Sequence, residues 1–406
     1  DRKSDPLFSV VKSEAGIMRK NKLWSWTFVH ILILYCLVQM VLYMTTPVLA
    51  KYVLSLGQSN SVAGVISGAF SITALVFRPF SGYLSDGFRK KKLLLIALAA
   101  TSVALFGYCI ANKPWQLFLF RLIQGGAYAI STTVMMSMVS EIIDESVRGA
   151  GIGYYALAAS LAAAVGPGIG LKLVDLAGYK NAILLAAGIA FVAMLFGLLQ
   201  PYREKAVPAK HPEGFRFDQL IAKEVLALAG FSCLFSFANG LLSNFLAILG
   251  EARGIAGISL YFTVNAVVMA VTKPLSGRIT DQYGLHYVMY VAFACSAVGL
   301  YLLAGASSLP AVLLVAVLYG IGIGAGQPAI QAQTTKEVEL SQIGVAVSTC
   351  YLGNDIGQGL GPVLGGVISD GFGYGMIFLV AGILHTAAIA LFWLYEKKHG
   401  RAAARA

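Results

Sequence analysis

The chain has 406 residues, of which 58% are hydrophobic and only 12% charged, with a mean hydropathy of +0.75. Soluble domains carry about 25% charged residues, so this composition excludes an ordinary soluble protein and places the chain in a bilayer. The formal net charge of +11 is carried by basic loops between apolar runs, a topology signal and an attraction to anionic lipid that does not argue for nucleic acid.

A spanning helix needs about 20 mostly apolar residues. On that measure the first half of the chain is expected to hold six, over 25–49, 60–84, 93–111, 115–139, 149–172 and 181–200. The second half is expected to hold six more, over 222–248, 257–280, 287–306, 310–332, 343–368 and 374–394. The first apolar run follows a mixed polar arm and reads as a spanning helix, not as a cleaved signal. With both termini inside the cell, 22 of the 30 Lys and Arg residues fall on the cytoplasmic side, five outside and three within spans. The opposite orientation would invert that bias. The segment Pro201–Gly214, with three prolines and no hydrophobic run, reads as part of a cytoplasmic linker. The expected organisation is a bundle over 1–200, a linker over 201–221 and a second bundle over 222–406.

The halves repeat each other at an offset of 195 residues. Arg78–Asp86 (RPFSGYLSD) returns as Lys273–Asp281 (KPLSGRITD), and the same offset pairs Gly125 with Gly320, Gly166-Pro167 with Gly361-Pro362, Gly170 with Gly365, Asp175 with Asp370 and Gly178-Tyr179 with Gly373-Tyr374. Two tandem membrane bundles suit a transporter that rocks its halves about a central site.

Several polar residues fall inside spans. Arg121 stands about six residues inside the fourth, where a guanidinium must face protein or water. It either holds an anionic group or tunes a proton site, or it snorkels to the outer headgroups. In the eleventh, Gly353, Gly357, Gly361 and Gly365 recur every four residues and form a flat stripe for close helix contact. Asp355 lies about 200° around the helix from that stripe. It is the sole carboxylate near the middle of any expected span, which marks an ion or substrate path; the alternative is a hydrogen-bonded polar residue paired with Asn354 or a neighbouring helix. Arg78 and Lys273 sit about two turns above Asp86 and Asp281, to pair with them or to snorkel. The five cysteines lie inside spans with no CxxC spacing, so neither a disulfide nor a metal site is expected. The five histidines form no HExxH, and the chain carries no P-loop, which argues against an enzyme and a cofactor.

Three elements carry a family resemblance. Gly82-Tyr83-Leu84-Ser85-Asp86-Gly87-Phe88-Arg89-Lys90-Lys91 follows the pattern G-x-L-x-D-x-x-G-R-R, with Arg89 in place of its second glycine. Gly277, Asp281 and Gly284 repeat it, with Leu285 and His286 where basic residues are expected. Arg121-Leu122-Ile123-Gln124-Gly125 matches R-x-x-Q-G, and a glycine-proline element stands at Gly166-Pro167-x-x-Gly170 and, more fully, at Gly357 to Gly366. Over essentially its whole length the chain resembles the major facilitator superfamily, most of all its drug:proton antiporters and related bacterial efflux permeases.

That resemblance implies an all-α integral membrane fold of twelve transmembrane helices in two pseudo-symmetric six-helix bundles. It implies alternating access, with proton-coupled efflux of a small organic solute as the leading reading. The alternatives are uptake or facilitated diffusion of a metabolite, a lipid flippase, or a non-transporting sensor. Asp355, from its place in the span, and Arg121 are the expected proton-coupling residues; the resemblance carries over Gly82, Asp86, Lys90, Gly277 and Asp281 as a latch between the halves, although an acid at such a helix end is also a simple cap. The expected cavity lining is Tyr35, Gln39, Tyr43, Gln124, Tyr128, Phe235, Asn239, Asn244, Tyr319, Gln327 and Gln331. Expected partners are the solute, protons and membrane lipid, with the chain working as a monomer in the cell membrane. Because a latch biases conformation without holding the solute, Asp86→Asn is expected to slow transport in proteoliposomes more than it weakens solute binding. Wild-type turnover in that variant would rule out the latch.

Overall fold

A computed structural model describes residues 24–143, 148–202, 221–338 and 343–403. Among these residues the chain forms twelve long helices: α1 Trp26–Ser55, α2 Asn60–Gly87, α3 Lys90–Ile110, α4 Pro114–Ile142, α5 Arg148–Ala177, α6 Tyr179–Leu198, α7 Leu226–Ala252, α8 Leu260–Tyr283, α9 Leu285–Gly305, α10 Leu309–Lys336, α11 Ile343–Phe372 and α12 Tyr374–Ala403. Each coincides with one expected span and most run past it, because helices continue into the headgroup regions beyond the apolar core. Most of the expected linker lies outside the described residues.

Local chemistry sets the boundaries. Ser25 and Ser59 cap α1 and α2 by accepting from the backbone N–H groups of Phe28 and Val62, as N-cap serines do. The repeated Gly178 and Gly373 have φ of 83° and 79°, a left-handed region that favours glycine. Each lets one helix stop and the next start after a single residue. Arg89, where the family pattern has glycine, has φ −64°, so this turn needs no glycine, whereas its repeat mate Gly284 has φ 88°.

Ten of the helices are long and apolar enough to cross a membrane. The other two, α8 and α11, join the halves: α8 packs on α10 and α5, and α11 on α7 and α2, while Val267 and Val271 of α8 and Leu360 and Val367 of α11 stay exposed. The outer surface of α3 and α6 exposes large apolar side chains, including Val103, Phe106, Phe191 and Val192, a belt suited to lipid.

The glycine stripe of α11 lies on α7. A Cβ built at Gly353, Gly357 or Gly361 would come within 2.2, 2.1 and 2.5 Å of the Ala229, Cys233 and Phe237 carbonyl oxygens in turn, so the helices run backbone to backbone for about two turns, and one at Gly365 would stand 2.3 Å from the Leu241 side chain. On its other side α11 meets α2 of the first half equally closely. A Cβ at Gly64 would stand 2.0 Å from the Pro362 carbonyl oxygen, and one at Gly68 2.7 Å from that of Gly359. Helix α11 is therefore clamped between its own half and the opposite one.

Polar contacts tie the halves together at the end of the bundle away from the chain termini, here the distal end. The Asp370 carboxylate at the end of α11 accepts from the Asn60 and Ser61 backbone N–H groups at the start of α2, at 2.9 and 2.8 Å, and from the Ser61 hydroxyl. This places an anion on the positive end of a helix. Tyr374 donates to Asn60 Oδ1 at 2.8 Å, Lys51 pairs with Glu251 at 2.7 Å, and Thr263 donates to the Ala164 carbonyl at 2.8 Å.

Overpacking a filled interior costs about 1–3 kcal/mol. Gly357→Ala is expected to lower the melting temperature of the purified protein, whereas Gly371→Ala, whose Cβ would meet nothing within 4 Å, is expected to leave it unchanged. Equal melting temperatures for the two variants would contradict the close α7–α11 contact.

Candidate functional site

Where the halves meet, α1, α2, α4 and α5 of the first and their repeat mates α7, α8, α10 and α11 of the second enclose a cavity of about 260 Å³. Helices α3, α6, α9 and α12 contribute nothing to its wall. The arrangement follows from the clamped pairs: α2 against α11 and α5 against α8 close its sides, and α1 and α7 stand between them. The wall mixes aromatic with polar side chains, among them Tyr43, Phe70, Tyr128, Tyr261 and Phe262 beside Thr46, Ser67, Asn239, Asn244, Asn265 and Gln358.

Three charged residues border it: Arg78, Arg121 and Asp355. Asp355 points away from the glycine stripe, as its register implies, and meets a charge from the other half. Arg78 of α2 donates from Nη2 to Oδ1 at 3.1 Å and from Nε to Oδ2, a two-pronged pair. The side chains are 25% and 12% exposed, and the guanidinium also lies 5.9 Å from the centre of the Tyr351 ring. Arg78 is thus turned into the bundle and does not snorkel, while the side chain of Asp86 lies outside the described residues. The two-turn spacing to Asp86 suggested a partner on its own helix, but the α2–α11 contact supplies a carboxylate at Arg78's own depth. Neither Asn354 nor its neighbours compete for Asp355, because Asn354 accepts from Ser236 of α7 and Gln358 from Asn239 at 3.2 Å.

Arg121 lies about 10 Å along α4 from its first residue and is 2% exposed, turned into the bundle and not out to the headgroups. It donates to Gln124 Oε1 at 2.9 Å and, more weakly, to Thr46 Oγ1 at 3.4 Å. Its guanidinium carbon stands 4.6 Å from the centre of the Phe70 ring, a cation–π contact, and Tyr108 donates to the same Gln124 oxygen at 2.8 Å.

Of the side chains expected to line the cavity, Tyr43, Tyr128, Asn239 and Asn244 do so. Tyr35, Gln39, Gln124, Phe235, Tyr319, Gln327 and Gln331 are not among the lining side chains. Most of them knit helices together within each half. Tyr35 stacks on Tyr155, Phe235 stacks on Phe293, Tyr319 donates to the Phe235 carbonyl at 3.0 Å, and Gln327 bonds Ser232 and Ser236. Gln39 is buried, Gln124 is taken up by Arg121 and Tyr108, and Gln331 lies about two turns beyond Ile323, the α10 residue on the wall. Membrane helices bury polar groups against one another as readily as against a cavity, so polarity alone does not tell the two apart.

The latch positions Gly82, Asp86, Gly277 and Asp281 fall in the last turns of α2 and α8, and their surroundings lie outside the described residues. Lys90 pairs with Glu141 of α4 within its own half. Two residues matter in roles that sequence reading did not assign: Arg78, expected to pair with Asp86 or to snorkel, is the partner of Asp355, and Asp370 is the cap on α2. Their signal was the 195-residue repeat itself, which marked both positions without naming their partners.

With this geometry established, comparison with known proteins is informative. Multidrug resistance protein 1 of Bacillus subtilis is 25% identical over 84% of this chain and 90% of its own. Multidrug resistance protein MdtG of Klebsiella pneumoniae is 27% identical over 85% and 86%. The crystal structure of nucleoside transporter NupG superposes with a TM-score of 0.72 at 16% identity, covering 91% of this chain and 99% of that one, a likeness of fold. The family model described as Major Facilitator Superfamily matches residues 31–256 and 226–406: the chain belongs to that superfamily, and it is a multi-pass membrane transporter, not an enzyme.

Proposed function

We propose that the protein exports a small organic solute in exchange for protons, with Asp355 as the proton-carrying group and its bridge to Arg78 as the element that couples protonation to movement of the halves. The observation that carries this reading is the ion pair itself, which joins α2 of one half to α11 of the other at the cavity wall.

The physical argument is one of linkage. A proton can shift a conformational equilibrium only if it binds the two states unequally. Bridged Asp355 shares its charge with Arg78. A protonated carboxyl would leave that guanidinium uncompensated in the bundle, where removing one partner of a buried pair costs about 3–5 kcal/mol. Protonation therefore favours an arrangement in which α2 and α11 have parted at this level and water reaches Arg78. The distal contacts of Asp370, Lys51 and Tyr374 hold the bridged arrangement closed at one end. The distribution of Lys and Arg assigns that end to the outside and both termini to the cytoplasm, so the bridged state is the one that receives solute from within. Export as the direction draws on the relatives named as multidrug resistance proteins. Asp86 and Asp281 fit the complementary role of latching the cytoplasmic ends when the outside is open, and one chain holds the whole cavity, so a monomer suffices.

In proteoliposomes Asp355→Asn is expected to abolish solute accumulation driven by a pH gradient while solute counterflow persists, because the amide keeps the side chain's shape but can neither carry a proton nor supply the charge that pairs with Arg78. Vesicles of this variant that still concentrate solute in response to pH would place coupling elsewhere. A double-mutant cycle tests the bridge separately. Arg78→Gln and Asp355→Asn are each expected to lower the melting temperature, and the double variant to be no less stable than the worse single, as for groups that interact directly. Additive losses would mean that the pair does not act as a unit.

A further inference from the structure

We infer that the solute is an organic anion, whose carboxylate or similar group docks on Arg121. This rests on the cavity being the solute site, but not on proton coupling.

The argument is a charge count completed by hydrogen bonds. Among the residues lining the cavity there are two guanidinium groups and one carboxylate. Arg78 occupies both oxygens of that carboxylate. What remains is one full positive charge on Arg121, 2% exposed, whose polar neighbours, the Gln124 amide and the Thr46 and Tyr108 hydroxyls, are all neutral. Its Nε has no hydrogen-bond partner at all. The Phe70 ring offsets part of the charge, but cation–π contacts supply only about 0.5–2 kcal/mol. An uncompensated ion inside the bilayer costs more than that, and a guanidinium presents its donors in a fork that matches a carboxylate.

The rest of the wall is unsaturated too. Ser67 Oγ, Asn244 Oδ1 and Tyr261 Oη, all on residues of the cavity lining, are buried without a hydrogen-bond partner. Buried polar groups are otherwise almost always paired, so four such atoms on residues of one cavity lining, from α2, α4, α7 and α8, leave polar capacity there for a ligand to take up. An anion faces Arg121, and further polar groups face Asn244 and Tyr261 of the opposite half. A cationic solute is disfavoured, because the sole acid on the wall is already engaged. Lys273 strengthens the same sign of potential, since it is half-buried on α8 one turn beyond the wall residue Met269.

Three probes that share one fluorophore test this without a transport assay: dansylglycine, its neutral methyl ester, and the cationic dansyl-ethylenediamine. Each is titrated into the purified full-length protein at fixed pH and moderate salt. Wild type is expected to bind dansylglycine about ten- to a hundred-fold more tightly than the ester, the range of a hydrogen bond to a charged group, and more tightly than the amine. Arg121→Gln is expected to erase the preference for acid over ester, and Arg121→Lys to retain part of it. Equal affinities, preference for the amine, no binding of dansylglycine up to millimolar concentration, or an undiminished acid preference in Arg121→Gln would each overturn the assignment. The wild-type comparison stands alone if Arg121→Gln does not fold. Loss of pH-driven transport in the proteoliposome experiment would leave these affinities untouched, and the reverse also holds.

Discussion

A charged side chain inside a bilayer has to find its compensation within the protein, and the central region of this molecule is organised by how that requirement is met. Arg78 and Asp355 meet it with each other, across the boundary between the halves. The pair is therefore not only a local stabiliser. It can form only when α2 and α11 lie side by side, so the electrostatic requirement of two residues becomes a constraint on the relative position of two six-helix bundles. Arg121 meets the requirement only in part, which makes it the place where a ligand's charge has most to contribute.

Close approach of backbones makes the pairing possible. Glycines on both faces of α11 bring it against α7 on one side and α2 on the other, so a shift of α11 relative to α2 must disturb the ion pair and the Asp370 cap together. Among the described residues neither contact has a matching counterpart at the pseudo-symmetric α5–α8 interface. The repeat mate of Arg78 is Lys273, but the position 195 residues before Asp355 is Ser160, whose hydroxyl turns back to its own helix at the Ala156 carbonyl. Asp175, the mate of Asp370, borders a cleft with Ser259 and Leu260 at the start of α8. A symmetric scaffold thus carries an asymmetric charge pattern, and among the described residues ion pairing at mid-membrane is found at one of its two inter-half seams.

The sequence alone determined that the chain lies in a membrane, that it holds twelve helices, where they begin within a few residues, and that the halves repeat. Length of apolar runs, cap residues and left-handed glycines are local properties, and Gly178 and Gly373 illustrate how a repeated residue reports a repeated turn. The register of Asp355 against the glycine stripe was also legible, because both lie on one helix whose period is known.

What the sequence could not decide was which helix stands opposite a given face. Helices that are apolar all round carry little signal of their rotation, and polar side chains that bind neighbouring helices look the same in sequence as those that border a cavity. Hence Gln327, Tyr319 and Phe235 were expected on the wall but serve α7–α10 and α7–α9 packing, while Ser67 and Tyr261 on it went unread. The partner of Asp355 was likewise undecided, since Arg78 lies 277 residues away and only the packing of α2 on α11 brings the two charges together.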